Sequence, residues 1–173
     1  IRLFRNDNTV YIHHTRTVNI FVCATLRYYY DGHQSMKGNT VKFEHTVTKS
    51  GAPLFVFSMP HVQNVAVGVL ANAGTRDEMW PKEAGIAHAL EHMVFQGNAR
   101  LNDSLSVSSE IETMGGMLNA WTSKEMTLYY NVVPQESLQT SVDSLGSMLN
   151  TSLFRPENIA TEMKNVVQEI KRA

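Results

Sequence analysis

Three features of the sequence predict an α+β domain, with helices packed on a mainly antiparallel sheet. β-Branched or aromatic runs and stretches with apolar residues at helical spacing follow one another in the order ββ-α-α-ββ-α-α. Glycine and proline punctuate the boundaries, at Pro60, Gly74, Gly97, Gly115-Gly116, Pro134 and Pro156. Finally, 173 residues with 43% hydrophobic content are enough to build a sizeable core.

Leu54-Phe55-Val56-Phe57 and the run from Val65 to Ala73 are apolar and β-branched, separated by Pro60 and Asn64, and read as two strands of a hairpin or meander. Gly74 ends the second. Ile86 to Phe95 carries apolar residues at helical spacing between Gly85 and Gly97, which predicts a short, mostly buried helix. Ser104 is the expected cap of a further helix through Ile111 and Met114, stopped by Gly115-Gly116 where a left-handed residue is needed. Met117 to Thr122 and Thr127 to Val133 read as strands, the second ending at Pro134. Ser137 to Leu149 places Leu138, Val142, Leu145 and Leu149 on one helical face. A last helix begins near Pro156, a favoured first-turn residue, and carries Ile159, Met163, Val166, Val167 and Ile170. No internal repeat or low-complexity tract interrupts this order.

Residues 1–36 differ from the rest. They contain no Lys and no Glu, yet hold four of the six tyrosines, three of the seven histidines and the single cysteine. No period of 2 or 3.6 residues is sustained there. The segment is therefore expected to lie outside the fold, with Met36 as the true start and the preceding residues as read-through, which leaves residues 37–173 as the domain. A targeting peptide is the alternative, but its apolar centre is short and a small-residue cleavage site is missing.

Composition narrows the function. A formal charge of −1 and a pI near 6.7 give no bulk attraction for nucleic acid or anionic lipid. The nearest approach to a membrane span, the short stretch Val18 to Leu26, is broken by Asn19 and falls well short of the roughly 18–20 residues needed. Cys23 alone cannot form an internal disulfide, which suits a reducing, cytoplasmic setting.

The chemistry is concentrated in His88-Ala-Leu-Glu91-His92. Residues four apart on an α-helix are separated by about 40° around the axis, so two imidazoles can approach one ion while residue i+3 falls on the same side. Two neutral imidazoles suit Zn²⁺, a catalytic zinc usually takes a third protein ligand plus a water, and a neighbouring carboxylate can take that water's proton. Glu91 is therefore the candidate base. The competing reading, two surface imidazoles beside an incidental carboxylate, must explain three polar groups set among Ile86, Ala87, Ala89, Leu90, Met93, Val94 and Phe95. On the last helix Glu162 and Glu169 are seven residues apart, about 700° of rotation, so they share one face and either could point toward the histidines. Glu169 lies closer to the apolar stripe of Val166, Val167 and Ile170.

The inverted motif followed at a distance by Val-Val-Gln-Glu169-Ile resembles the M16 family of zinc peptidases, the inverzincins. The likeness runs from about residue 39 to the end and includes Ala-Gly-Thr-Arg-Asp-Glu (73–78), the block 85–97 around the histidines, and Gly-Gly-Met-Leu-Asn-Ala-Trp-Thr-Ser-Lys-Glu-Met-Thr-Leu-Tyr-Tyr (115–130). It is strongest to the processing-peptidase branch, and it implies the metallohydrolase fold shared by LuxS and mitochondrial processing peptidase. The resemblance implies zinc held by His88, His92 and Glu169, with Glu91 activating the water that attacks a peptide carbonyl. It further implies that Glu162 supports the metal site from behind the ligands, and that Asn119 and Ala120 pair with the backbone of a peptide or unfolded protein added as a strand. Arg76, Asp77 and Glu78 fit the family block but read as a surface loop without chemistry.

Family members close two similar domains around the peptide, whereas this chain runs four residues past Glu169. A truncated N-terminal catalytic domain is expected, with a second M16-type domain or subunit as partner. The implied location is cytoplasmic, or mitochondrial for a eukaryotic source. The leading function is a zinc metalloendopeptidase; the alternatives are a non-catalytic M16-type subunit or peptide-binding module, and a metal-binding regulatory module without turnover. The intact set of His88, Glu91, His92 and Glu169 favours the enzyme.

Overall fold

The computed structural model describes residues 18–23, 42–48, 51–59 and 62–172. Its strands are β1 (Val18–Cys23), β2 (Lys42–Val47), β3 (Pro53–Ser58), β4 (Asn64–Ala71), β5 (Met117–Thr122) and β6 (Thr127–Pro134), and its helices α1 (Ile86–Met93), α2 (Ser104–Glu112), α3 (Leu138–Asn150) and α4 (Pro156–Arg172). Among the described residues one six-stranded sheet forms in the order β2-β3-β1-β4-β6-β5. Its neighbours are antiparallel except β1 and β3, which run parallel. The expected α+β fold with helices on a mainly antiparallel sheet is the fold observed.

Alternation dictates how the sheet is covered. Along β6, Thr127, Tyr129, Asn131 and Val133 are buried while the residues between them are half-buried, as expected of a strand with one face in the core. Val65, Val67 and Val69 of β4 and Tyr129 and Val133 of β6 join Val107 and Ile111 of α2 and Val142, Leu145 and Met148 of α3 in one core. α3 lies against β4 and β6, and α1 and α2 against β5. α4 takes its main contact from α1 and buries only Val166. It is therefore carried on α1, one tier out from the sheet.

Four sequence expectations are corrected. Residues 1–36 were expected outside the fold, yet Val18–Cys23 is paired on both sides, with Ile20 opposite Leu54 of β3 and Val69 of β4. A central strand reads as a short continuous apolar run rather than an alternation, so a search for periodicity passes over it. Met36 and the proposed start lie outside the described residues. Secondly, β3 and β4 form no hairpin, because β1 separates them. Thirdly, α1 stops at Met93 and is not mostly buried: Ile86 is 55% and Leu90 46% exposed. Fourthly, the cap of α2 is Asp103, whose carboxylate accepts the Ser106 N–H at 2.8 Å, and Ser104 is already helical. Aspartate and serine are equivalent in this role. The Ser106 N–H and hydroxyl hold the Asp103 carboxyl below its ordinary pKa.

The loop that leads into α1 is tied to the far edge of the sheet. Residues 74–78 run beside the β5–β6 turn, with the Thr75 N–H donating to Ser123 O at 3.0 Å and the Arg76 N–H to Lys124 O at 2.8 Å. Arg76 also pairs with Glu125. A Cβ on Gly74 would sit 2.5 Å from Ser123 O, so only glycine permits this approach. No helix among the described residues is long and apolar enough to cross a membrane.

Leu145, 1% exposed, and Leu105, 76% exposed, give a direct test of the core. Leu145→Ala is expected to destabilise by about 2–5 kcal/mol and Leu105→Ala by no more than about 0.5 kcal/mol, measured by urea unfolding.

Candidate metal centre

The first turn of α1 begins at Gly85, whose φ of 87° is left-handed and favours glycine. From there His88, Glu91 and His92 follow at i, i+3 and i+4, and the helix presents them to two different neighbours. α4 crosses α1 antiparallel: Glu162 meets His92 and Gln96 near one end, Glu169 meets His88, and Ile170 lies over Gly85 at the other. Glu91 is turned the other way, toward β5.

His88 Nε2, His92 Nε2 and Glu169 Oε2 stand 3.2, 3.3 and 3.5 Å from one another. Donor atoms held about 2.0–2.1 Å from a tetrahedral zinc are separated by roughly 3.3–3.4 Å. The donor set thus has the types and the spacing that zinc requires. The Glu169 side chain is 50% exposed, which leaves the solvent side of the triangle open. An open fourth position distinguishes a catalytic from a structural zinc site.

Glu162 behaves differently from Glu169 although both lie on the same helical face. Its side chain is 12% exposed, and its oxygens face His92 Nδ1 at 3.0 Å, Gln96 Nε2 at 3.0 Å and Asn165 Nδ2 at 3.3 Å. A carboxylate can only accept, which assigns a proton of His92 to Nδ1, and in the neutral ring a metal requires this leaves the Nε2 lone pair on the side of His88 and Glu169. This is the carboxylate–histidine arrangement that orients metal ligands.

Glu91 Oε2 accepts the hydroxyl proton of Thr122 from β5. His88, Glu91, Thr75, Ala120, Trp121 and Thr122 line an open groove of about 300 Å³. Burial pushes the nearby Tyr129 phenol above its ordinary pKa, and the Glu91 carboxylate adds to the rise, so this core residue stays neutral. β5 pairs only with β6, and its other edge is open among the described residues. Ala120 lines the groove, whereas Asn119 does not; its Oδ1 instead accepts the Ala120 N–H at 2.8 Å.

The residues expected from the sequence therefore divide. His88, His92, Glu169 and Glu162 come together, Glu91 opens onto the adjoining groove, and Asn119 and Ala120 lie on the edge strand. Sequence reasoning missed Thr122, Gln96 and Glu78. A signal existed for Thr122, which stands two residues after Ala120, because strand alternation alone puts those two side chains on one face.

Known proteins share both the sequence pattern and the fold. A family model described as insulinase, peptidase family M16, matches residues 56–173. A zinc protease of Rickettsia bellii, otherwise uncharacterised, is 35% identical over 131 residues, covering 76% of this chain and 31% of its own length. The β subunit of the mitochondrial-processing peptidase of Dictyostelium discoideum is 39% identical over 104 residues, 60% of this chain and 22% of its own. Among solved structures, a protease from Helicobacter pylori superposes with a TM-score of 0.70 at 25% identity, covering 75% of this chain and 31% of that one. Pitrilysin shares the fold with a TM-score of 0.68 at 24% identity, over 80% of this chain and 14% of that one. The chain thus spans less than a third of the length of these two curated relatives.

Glu162→Ala removes the acceptor behind His92 while leaving all three candidate donors in place. Affinity for zinc is expected to fall by about 10–100-fold, and His92→Ala to lose more, as read from a competition titration with a chromophoric chelator.

Proposed function

The chain belongs to the insulinase family, peptidase family M16, and on that premise we propose that it forms the metal-bearing N-terminal catalytic domain of a zinc endopeptidase. His88, His92 and Glu169 hold the ion, and Glu91 is the general base. The observation that carries this reading is the triangle of three donors with zinc's own spacing, set beside a carboxylate in a groove under an open strand edge.

The chemistry supplied by bound zinc is polarisation of a carbonyl oxygen and a lowered pKa for a neighbouring water. The remaining tasks fall to the protein. Thr122 holds one oxygen of Glu91, which leaves the other to take a proton from water and return it to the departing amine. Glu162 keeps the His92 ring in the orientation and tautomer that a ligand needs. β5 receives an extended peptide along its open edge, where Asn119 and Ala120 meet the substrate backbone. Main-chain hydrogen bonds of this kind are indifferent to side-chain identity, which suits a peptide or unfolded protein segment as substrate. A second M16-type domain or subunit closing on this face completes the enzyme.

Glu91→Gln keeps the size and hydrogen-bonding capacity of the base but removes its basicity. In the full-length protein, peptide cleavage is expected to fall about 10²–10⁴-fold while zinc content stays at the parent level. A fluorogenic peptide assay paired with metal analysis checks this. Cleavage at the parent rate would place the base elsewhere, and zinc retention with no cleavage in either protein would favour the non-catalytic subunit.

A further inference from the structure

We propose that Glu78 is a positioning residue of the metal centre, holding His88 through the backbone of the first turn of α1. This rests on the zinc reading above.

A helix leaves its first N–H groups without intrahelical partners, and a capping side chain normally satisfies one or two of them. α1 has eight residues, and its cap position is Gly85, which has no side chain to offer. Glu78 fills that role from the preceding loop. Its Oε2 accepts the Gly85 N–H at 2.8 Å and its Oε1 the Ala87 N–H at 2.9 Å, while the intervening Ile86 N–H donates to Glu83 O at 3.0 Å. One carboxylate therefore grips the chain on both sides of Ile86, at the positive end of the helix dipole. His88 is the next residue.

The two imidazoles are held by different means. His92 is oriented through its ring, because Glu162 receives Nδ1. His88 has no such partner among the described residues; its ring contacts are those of Nε2 with His92 and Glu169, the donors that would share the ion. Its direction is accordingly set by where the backbone of the first turn sits. Glu78 is itself well placed to set it, since the loop before it is tied to the β5–β6 turn at Thr75 and Arg76 and closed by Asp77 Oδ2 accepting the Gly74 N–H at 2.9 Å. The register of His88 is thereby linked to the hairpin that carries Ala120 and Thr122.

The test compares parent, Glu78→Ala, Glu78→Gln and Glu83→Ala in the full-length protein. Glu83 is the control, because its carboxylate accepts the Met79 N–H at 2.9 Å in the same loop without touching the first turn. Each protein is titrated with zinc against a chelator, and the cobalt(II) form is examined for the visible bands that report coordination geometry. Glu78→Ala is expected to bind zinc about 10-fold or more weakly and to alter the cobalt bands. Glu78→Gln, which retains one acceptor oxygen, should fall between it and the parent, and it carries the test should the alanine variant not fold. Glu83→Ala should match the parent in both measurements. Parent-like affinity and spectrum in both Glu78 variants would overturn the inference alone, as would an equal loss in Glu83→Ala. A parent that binds no zinc would overturn the zinc reading and this inference together.

Discussion

The meeting of His88, His92 and Glu169 depends on how α4 lies across α1. The helices run antiparallel, and the Glu162 contact with His92 and Gln96 fixes their relative slide. With Glu162 anchored there, the seven residues to Glu169 advance about 10 Å along α4, roughly two turns. That advance brings Glu169 to His88 and Ile170 over Gly85. A helix slid by one turn would pair the wrong carboxylate with the wrong imidazole. The half-buried carboxylate thus sets both a tautomer and a register.

This dependence explains what could be read from the sequence. His88, Glu91 and His92 are legible because i, i+3 and i+4 is a local relation that one helix settles by itself. The division of labour between Glu162 and Glu169 is not, since residues seven apart share a face and the choice is made by a neighbouring helix. In the structure Glu169 faces Nε2 of both histidines and Glu162 faces Nδ1 of His92. Thr122 is only half legible, since alternation sets its side chain on the face of Ala120 but not against Glu91. Glu78 is illegible because its carboxylate acts on the backbone at the start of α1, at Gly85 and Ala87. A loop acidic residue carries no local pattern to announce that its oxygens will cap a helix.

The sheet is less legible than the helices. β3, β4, β5 and β6 can be anticipated, but their neighbours cannot, because pairing is a non-local property. β2 sets Phe43, His45 and Val47 between Lys42, Glu44 and Thr46, a polar mixture that does not stand out as the apolar run of β3 does. β1 escapes a search for periodicity although its run Val-Asn-Ile-Phe-Val-Cys is mostly apolar. Length rules out a membrane span, and the remaining explanation for such a run, a strand flanked on both sides, is the one observed.

The position of α4 one tier out from the sheet has a thermodynamic consequence. Its interior contribution is the single residue Val166, the fewest buried residues of the four helices. An ion joining Glu169 to His88 would act as a cross-link across a loop of about 80 residues, and closure constraints of that length remove much of the freedom of the opened chain. Loss of the ion would then release α4 as a unit while the sheet and α3 stay folded, a subglobal opening rather than a global one. In such a molecule protease susceptibility near residues 150–156 and chelation are two readings of one equilibrium.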